Sequence, residues 1–134
     1  MASVAPTINA TDPRQYAQFI DNVKGFATRL HIDVGDGVFT DVKTVGLSQV
    51  YDIDGVPFDL HLMMNHPESQ MENIISLQPQ LVLVHYDAPS DRDNFFKNSR
   101  EMDRQVDFAL QSATTPQHSR GVLPHPRPFA RFPP

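Results

Sequence analysis

Two short segments decide the fold: residues 30–34, which read LHIDV, and residues 58–63, which read FDLHLM. Side chains alternate between the two faces of an extended strand. His31 and Asp33 therefore share one face of the first predicted strand, and the apolar residues occupy the other. His61, in the second segment, can meet them. Two imidazoles and a carboxylate form a ligand set suited to a divalent transition metal, and Asp33 could also serve as a proton acceptor.

Two further apolar segments, residues 3–8 and 81–85, are also predicted to be strands, and the second is apolar up to His85. Continuous apolar character is typical of parallel strands that helices cover. A helix is predicted from Pro13, with an N-cap before it and Gly25 at its end, and another over 67–77. Strands starting near 3, 30, 58 and 81 are spaced by roughly 23 to 28 residues, the size of a βα unit. The pattern predicts an α/β protein.

The signal is weaker after residue 88. Residues 91–104 are predicted to form a charged surface helix, and residues 106–110 a fifth strand. From residue 114 the composition changes, because six of the twelve prolines lie between Pro116 and Pro134. We therefore expect one domain over 1–113 and a proline-rich, disordered tail over 114–134.

The composition of the chain excludes several classes of function. The chain has 134 residues, a net charge of −5 and no cysteine. One domain with a buried core is expected from this length. The absence of cysteine excludes disulfides, thiolate metal sites and a cysteine nucleophile. The charge predicts no nucleic-acid partner, and without a long apolar run or signal-peptide pattern we expect a soluble, cytoplasmic protein with no membrane partner.

Four segments carry a family resemblance. The segments LHIDVGDGVF and FDLHLMMNHPE are similar to two signatures of the ribulose-phosphate 3-epimerases, in the same order and spacing. The opening VAPTINA and the later LVLVHYDA resemble two further family segments. The resemblance covers approximately residues 4–88, and a fainter likeness extends to about residue 116.

The resemblance implies the first four or five βα units of an incomplete (β/α)8 TIM barrel. It also implies a divalent metal, such as zinc or iron(II), and an isomerase of pentose phosphate metabolism. The implied reaction converts ribulose 5-phosphate to xylulose 5-phosphate, by removing a proton beside the ketone on one face and returning a proton on the other. By position, His31, Asp33 and His61 match metal ligands, and Asp33 also matches one of the two acid/base carboxylates. Thr7 stands where the family has a substrate-contacting serine, and Met63 matches a methionine that lines the site.

The chain also departs from the family pattern. Gly35 replaces the methionine of the first signature, which removes an apolar wall from the substrate side. The family's second catalytic aspartate, which is its fourth metal ligand, and its phosphate-binding loops belong to late strands and have no match here. A TIM barrel needs about 200 residues or more. Three interpretations stay open: an epimerase completed by self-association, a metal- or sugar-phosphate-binding half-barrel, and an inactive fragment of a truncated or frame-disrupted gene.

Several candidate residues have a structural alternative. His31 could be a buried histidine that hydrogen bonds to a neighbouring strand, although Asp33 on its face and His61 in register favour a ligand. Asp36 precedes Gly37 and is better explained as a turn residue. His85 has the parity of the site, and both a structural hydrogen bond and a substrate contact remain open for it. Met63 could belong to the core, but the family match favours a pocket position.

Overall fold

The computed structural model describes residues 4–100 and 105–109 of the chain. In chain order its elements are β1 (Thr7–Ile8), α1 (Pro13–Val23), β2 (Leu30–Gly35), β3 (Phe58–Met63), α2 (Met71–Leu77), β4 (Leu81–His85), α3 (Arg92–Arg100) and β5 (Gln105–Ala109). Short 3₁₀ turns lie at Leu47–Gln49 and Pro67–Gln70. The predicted tail, 114–134, lies outside the described residues.

The strands form one sheet whose spatial order is the chain order, from β1 to β5. Every neighbouring pair is parallel. A parallel sheet in sequential order, with helices between its strands, is how a (β/α)8 barrel begins. The predicted α/β class and partial barrel are therefore confirmed. The connection between β2 and β3 departs from the pattern, because a single 3₁₀ turn takes the place of its α-helix.

The first helix begins as predicted. Asp12 is its N-cap and accepts a hydrogen bond from the Gln15 amide at 2.9 Å, and Pro13 occupies the first turn. This side-chain oxygen satisfies an amide that has no partner inside the helix. The helix ends at Val23, Lys24 is its C-terminal cap with its amide donating to Ile20, and Gly25 directly follows this cap.

Some other predicted boundaries move by a few residues. The helix predicted over 67–77 is a 3₁₀ turn followed by α2, which ends where Gln78 takes a left-handed backbone conformation at φ 53°. The fifth strand lies at Gln105–Ala109, one residue earlier than predicted. Within the described ranges, no helix combines the length and apolar character needed to cross a membrane.

The apolar core lies on one face of the sheet. Leu30, Ile32 and Val34 on β2 pack in a cluster with alternate residues of β3 and β4, and with Ile20 of α1 and Ile74 of α2. Burial of these side chains contributes about 25 cal/mol for each Å² of apolar surface removed from water. The other residues of each strand point to the opposite face of the sheet. We call this the inner face, and it carries the polar side chains.

A backbone segment packs tightly against the end of β2. After Asp36 the chain turns back, so that the Gly37 amide donates to the Val42 carbonyl at 2.9 Å and the Thr44 amide donates to Gly35 at 3.0 Å. A Cβ atom added at Gly35 would lie 2.3 Å from the Val42 carbonyl oxygen. A side chain at residue 35 would therefore displace backbone, and Val42 occupies the space where the family's methionine would begin.

We predict that Gly35→Ala lowers the free energy of unfolding by about 1 to 3 kcal/mol, the usual cost of overpacking. Urea unfolding monitored by circular dichroism measures the change. Gly25→Ala is the matched control, because a Cβ at Gly25 has no neighbour within 4 Å. An equal midpoint for Gly35→Ala and the wild type would contradict the tight contact with Val42.

Candidate metal centre

The register of the central strands brings the predicted ligands together. In the pairing of β2 with β3, Asp33 lies opposite His61 and His31 lies opposite Asp59. Neighbouring residues of paired strands point to the same side of a sheet. Because Ile32, Val34 and their partners face the core, these polar side chains share the inner face.

Three side chains converge on one point of this face. Asp33 Oδ1 lies 3.1 Å from His31 Nε2 and 3.2 Å from His61 Nδ1. One ligand atom from each residue lies within 4.8 Å of the other two. Donor atoms on one tetrahedral ion, with bonds of about 2.1 Å, are roughly 3.4 Å apart. The two nitrogens and one carboxylate oxygen therefore fit a divalent transition metal, and side-chain exposures of 12% to 15% leave an open side.

Asp33 is held as an anion by its neighbours. Partial burial raises the pKa of its carboxyl, but hydrogen bonds and charge from His31 and His61 outweigh burial and hold the pKa well below its usual range. Its second oxygen accepts a hydrogen bond from Asn9 Nδ2 at 3.3 Å. An ionised carboxylate with a fixed orientation suits a metal ligand.

His85 continues the cluster from the end of β4. Its Nε2 lies 3.1 Å from His61 Nε2, and the two rings stack with centroids 5.2 Å apart. Phe39 approaches the His85 ring with a centroid distance of 5.2 Å. Burial, followed by the neighbouring His61 imidazole, lowers the pKa of His85 to about 4. The neutral ring is thus the stable form at physiological pH.

A buried ion pair lies on the same face, nearer the start of the strands. Arg29 donates two hydrogen bonds to Asp59, from Nε at 3.0 Å and from Nη2 at 2.7 Å. The Asp59 carboxylate has no solvent exposure. Because its two oxygens are already bound by the guanidinium, Asp59 is not available to a metal, although it is two residues from His61 in the chain.

The remaining candidates lie around the cluster. Thr7 is exposed on β1 and pairs in register with His31, whereas Met63 is buried at the end of β3 and pairs with Gly35. Their predicted contacts with substrate stay predictions.

Asp36 is a turn residue, as expected. Its Oδ1 accepts hydrogen bonds from the Val38 and Phe39 amides, and its Oδ2 accepts one from the Asn65 amide. Partial burial raises the pKa of the Asp36 carboxyl, but these amide donors hold it below the ordinary value. The side chain thereby ties the turn after β2 to the turn after β3.

A surface cleft opens beside this turn. Its volume is about 370 Å³, and its lining includes Asp36, Leu47 and Asn65 but none of the three candidate ligands. It lies at the carboxyl ends of β2 and β3, the end of the strands at which TIM-barrel sites are found. The cleft therefore does not contain the candidate metal centre.

Sequence reasoning missed three residues in or beside the site. Asn9 could have been found from strand parity, because it follows Thr7 by two residues. Asp59 lies two residues before His61 in the segment FDLHLM, so strand alternation predicts that both side chains point to the same face. Phe39 carries no such signal, because its contact with His85 depends on the path of a loop.

Comparisons with known proteins agree with the resemblance. The family model described as "Ribulose-phosphate 3 epimerase family" matches residues 3–126. The chain is 34% identical to the ribulose-phosphate 3-epimerase of Helicobacter pylori strain J99 over 85 residues, which are 61% of this chain and 39% of that protein. The similarity to the protein of the same name from Mycobacterium tuberculosis strain H37Rv is 27% over 125 residues, 91% of this chain and 54% of that protein. The chain thus spans about half, or less, of the length of these curated relatives.

We predict that the purified protein binds one equivalent of zinc and that His31→Ala/His61→Ala abolishes this binding, because two of the three ligands are lost. Metal content after dialysis, measured by mass spectrometry, checks the prediction. His66→Ala is the control, since the His66 side chain is 67% exposed and lies outside the cluster. Equal zinc retention by the double variant and the wild type would exclude this site.

Proposed function

The chain belongs to the ribulose-phosphate 3-epimerase family, and from this premise we propose that its metal centre serves proton transfer at the carbon beside the ketone of a pentulose phosphate. The observation that carries the proposal is the convergence of His31, Asp33 and His61 on the inner face of the sheet. The proposed substrate class is taken from the family, and the proposed chemistry is based on the arrangement of the three side chains. The implied conversion is ribulose 5-phosphate to xylulose 5-phosphate.

The three side chains would hold a divalent cation such as zinc or iron(II). Bound there, the cation would supply Lewis-acid stabilisation of the negative charge that develops on the substrate oxygens, an effect worth several kcal/mol. In the metal-free protein, His31 and His61 orient the Asp33 carboxylate through their contacts with Oδ1. Asn9 fixes the other oxygen.

Asp33 is the proposed proton acceptor. A general base must lie within reach of the proton and must be ionised before the reaction. In the metal-free protein, hydrogen bonds and charge from the two histidines keep Asp33 ionised. A bound cation would likewise favour the ionised carboxylate, but a carboxylate with a lowered pKa is also a weak base. The cation would therefore have to raise the acidity of the substrate at the same site. This requirement is consistent with the presence of the ligands and the base in one cluster.

Inversion needs a second proton donor on the opposite face of the substrate. Among the described residues, Asp33 is the one carboxylate in the candidate metal cluster. Asp59 is enclosed by its ion pair with Arg29. We therefore propose that the described residues by themselves support one-sided proton exchange rather than efficient epimerisation.

A second candidate function is binding without turnover. The partial barrel carries a cluster that could bind a metal ion, and a surface cleft lies at the carboxyl ends of β2 and β3. Thr7, Met63 and His85 are the proposed substrate contacts around the cluster. Because β1 and β5 are the edges of the described sheet, self-association through an edge is the proposed form of oligomer, since an open edge can pair with another strand.

We predict that the zinc-loaded protein catalyses exchange of solvent deuterium into ribulose 5-phosphate at the carbon beside the ketone, and that Asp33→Asn reduces the exchange rate at least about 100-fold by removing the base. Nuclear magnetic resonance of the sugar phosphate measures exchange, with zinc content determined in parallel. Asp21→Asn, on the exposed surface of α1, is the matched control. Unchanged exchange by zinc-loaded Asp33→Asn would exclude this residue as the base.

We predict negligible formation of xylulose 5-phosphate by the monomer, because one base cannot deliver a proton to the opposite face. A coupled assay for xylulose 5-phosphate, combined with light scattering at several protein concentrations, separates the monomer from larger species. Turnover that rises with oligomer content would support completion by self-association. Robust turnover by a monodisperse monomer would contradict the one-base interpretation.

A further inference from the structure

The surface cleft beside the Asp36 turn is built from three separate segments of the chain. The end of β2 with Asp36 forms one side, the 3₁₀ turn that begins at Leu47 forms another, and the connection between β3 and α2 forms the third. The volume of about 370 Å³ lies within the range of small-molecule sites, which is about 300 to 1,000 Å³. The cleft is therefore large enough for a small organic ligand.

The charge of the lining argues against an ionic ligand. Among the described residues that line the cleft there is no lysine, arginine or histidine, and the one charged side chain is Asp36. Both oxygens of its carboxylate already accept hydrogen bonds from backbone amides. A phosphate would find no cation here and would be repelled by Asp36. A cation would have to compete with the amides for the same two oxygens. The lining therefore favours an uncharged ligand.

Four neutral polar side chains of the lining can form hydrogen bonds with a ligand. The Ser48 hydroxyl and the Asn65 carboxamide are exposed and make no side-chain hydrogen bond within the described part of the chain, so both can donate and accept. Ser69 Oγ donates to a backbone carbonyl at 2.8 Å, which leaves its lone pairs as acceptors. Gln70 Oε1 accepts a side-chain hydrogen bond at 3.0 Å, which leaves the Gln70 amide hydrogens as donors.

Apolar side chains complete the lining. Leu47 and Met64 belong to the buried set, with 4% and 7% of their surface exposed. Packing in the core holds both side chains in place, so they offer a fixed apolar surface beside the polar groups. A ligand that matches this lining has hydroxyl groups along its edges and C–H groups on its faces.

We propose that this cleft binds an uncharged polyhydroxy compound, a free sugar or polyol. Each hydroxyl group both donates and accepts, so one ligand can satisfy the acceptor on Ser69 and the donor on Gln70. Its C–H groups can pack against Leu47 and Met64. The inference is independent of the proposed metal centre, because none of the three candidate metal ligands lines the cleft.

Titration of the full chain with D-ribose, followed by two-dimensional proton–nitrogen NMR, tests the proposal. The protein is first treated with a chelator, so that the result does not depend on a bound metal. We expect saturable shifts at the amides of the cleft, with a dissociation constant of roughly 1 to 10 mM, because so small a ligand offers few contacts. Ribose 5-phosphate should bind at these amides at least about threefold more weakly, because Asp36 repels its phosphate.

Asn65→Ala removes a side chain that can both donate and accept, while the residue 65 backbone amide can still donate to Asp36. We expect this variant to bind D-ribose roughly 3- to 10-fold more weakly, the effect of one or two lost hydrogen bonds. Asn22→Ala is the matched control, because Asn22 is an exposed asparagine of α1 outside the cleft, and its affinity should equal that of the wild type.

Three results would overturn the proposal. The first is the absence of saturable shifts at D-ribose concentrations roughly tenfold above the expected dissociation constant. The second is equal or tighter binding of ribose 5-phosphate at the same amides, because the cleft would then accept an anion. The third is equal affinity of folded Asn65→Ala and the wild type, which would place the sugar elsewhere. If Asn65→Ala does not fold, the two sugars compared on the wild type still decide the question.

Discussion

The parallel register of β2 and β3 is the constraint on which the site depends. It sets Asp33 opposite His61, and it directs every second side chain of both strands to the inner face. A slip of one residue in either strand would carry its polar residues into the apolar core and its apolar residues to the inner face. The core on the outer face therefore favours the geometry of the site, because a slip of one residue in either strand would remove Ile32 or Leu60 from it.

The inner face then has to satisfy its own polar groups. Burying an unpaired charge is costly, so each of the two aspartates on this face requires partners. Asp59 is neutralised by two hydrogen bonds from Arg29, and Asp33 is held by two imidazoles and an amide. Arg29 encloses the Asp59 carboxylate, whereas the Asp33 carboxylate stays partly exposed to solvent. This difference separates a structural ion pair from a ligand set, although both include an aspartate on the same face.

The segment after β2 connects the site to its surroundings. The Asp36 carboxylate accepts hydrogen bonds from three backbone amides. Because these amides lie in the turns after β2 and β3, the positions of the two turns are coupled. The path of this segment also places Phe39 in contact with His85 and the Val42 carbonyl close to Gly35. Gly35 is thus required by close backbone packing here, whatever its effect on the substrate side.

The sequence by itself determined the βα order, the strands that carry the ligands, and the shared face of His31 and Asp33, because strand periodicity and helix caps are local properties. It also indicated the family through the spacing of its motifs. Only the tertiary structure decided which polar residues are open to a ligand. Asp59 and His61 have the same parity in one segment, and the difference between them comes from Arg29, which is remote in sequence. The contacts of His85 with His61 and Phe39 likewise join β4, β3 and a loop. Such contacts depend on how separate elements pack, and local sequence patterns carry no record of them.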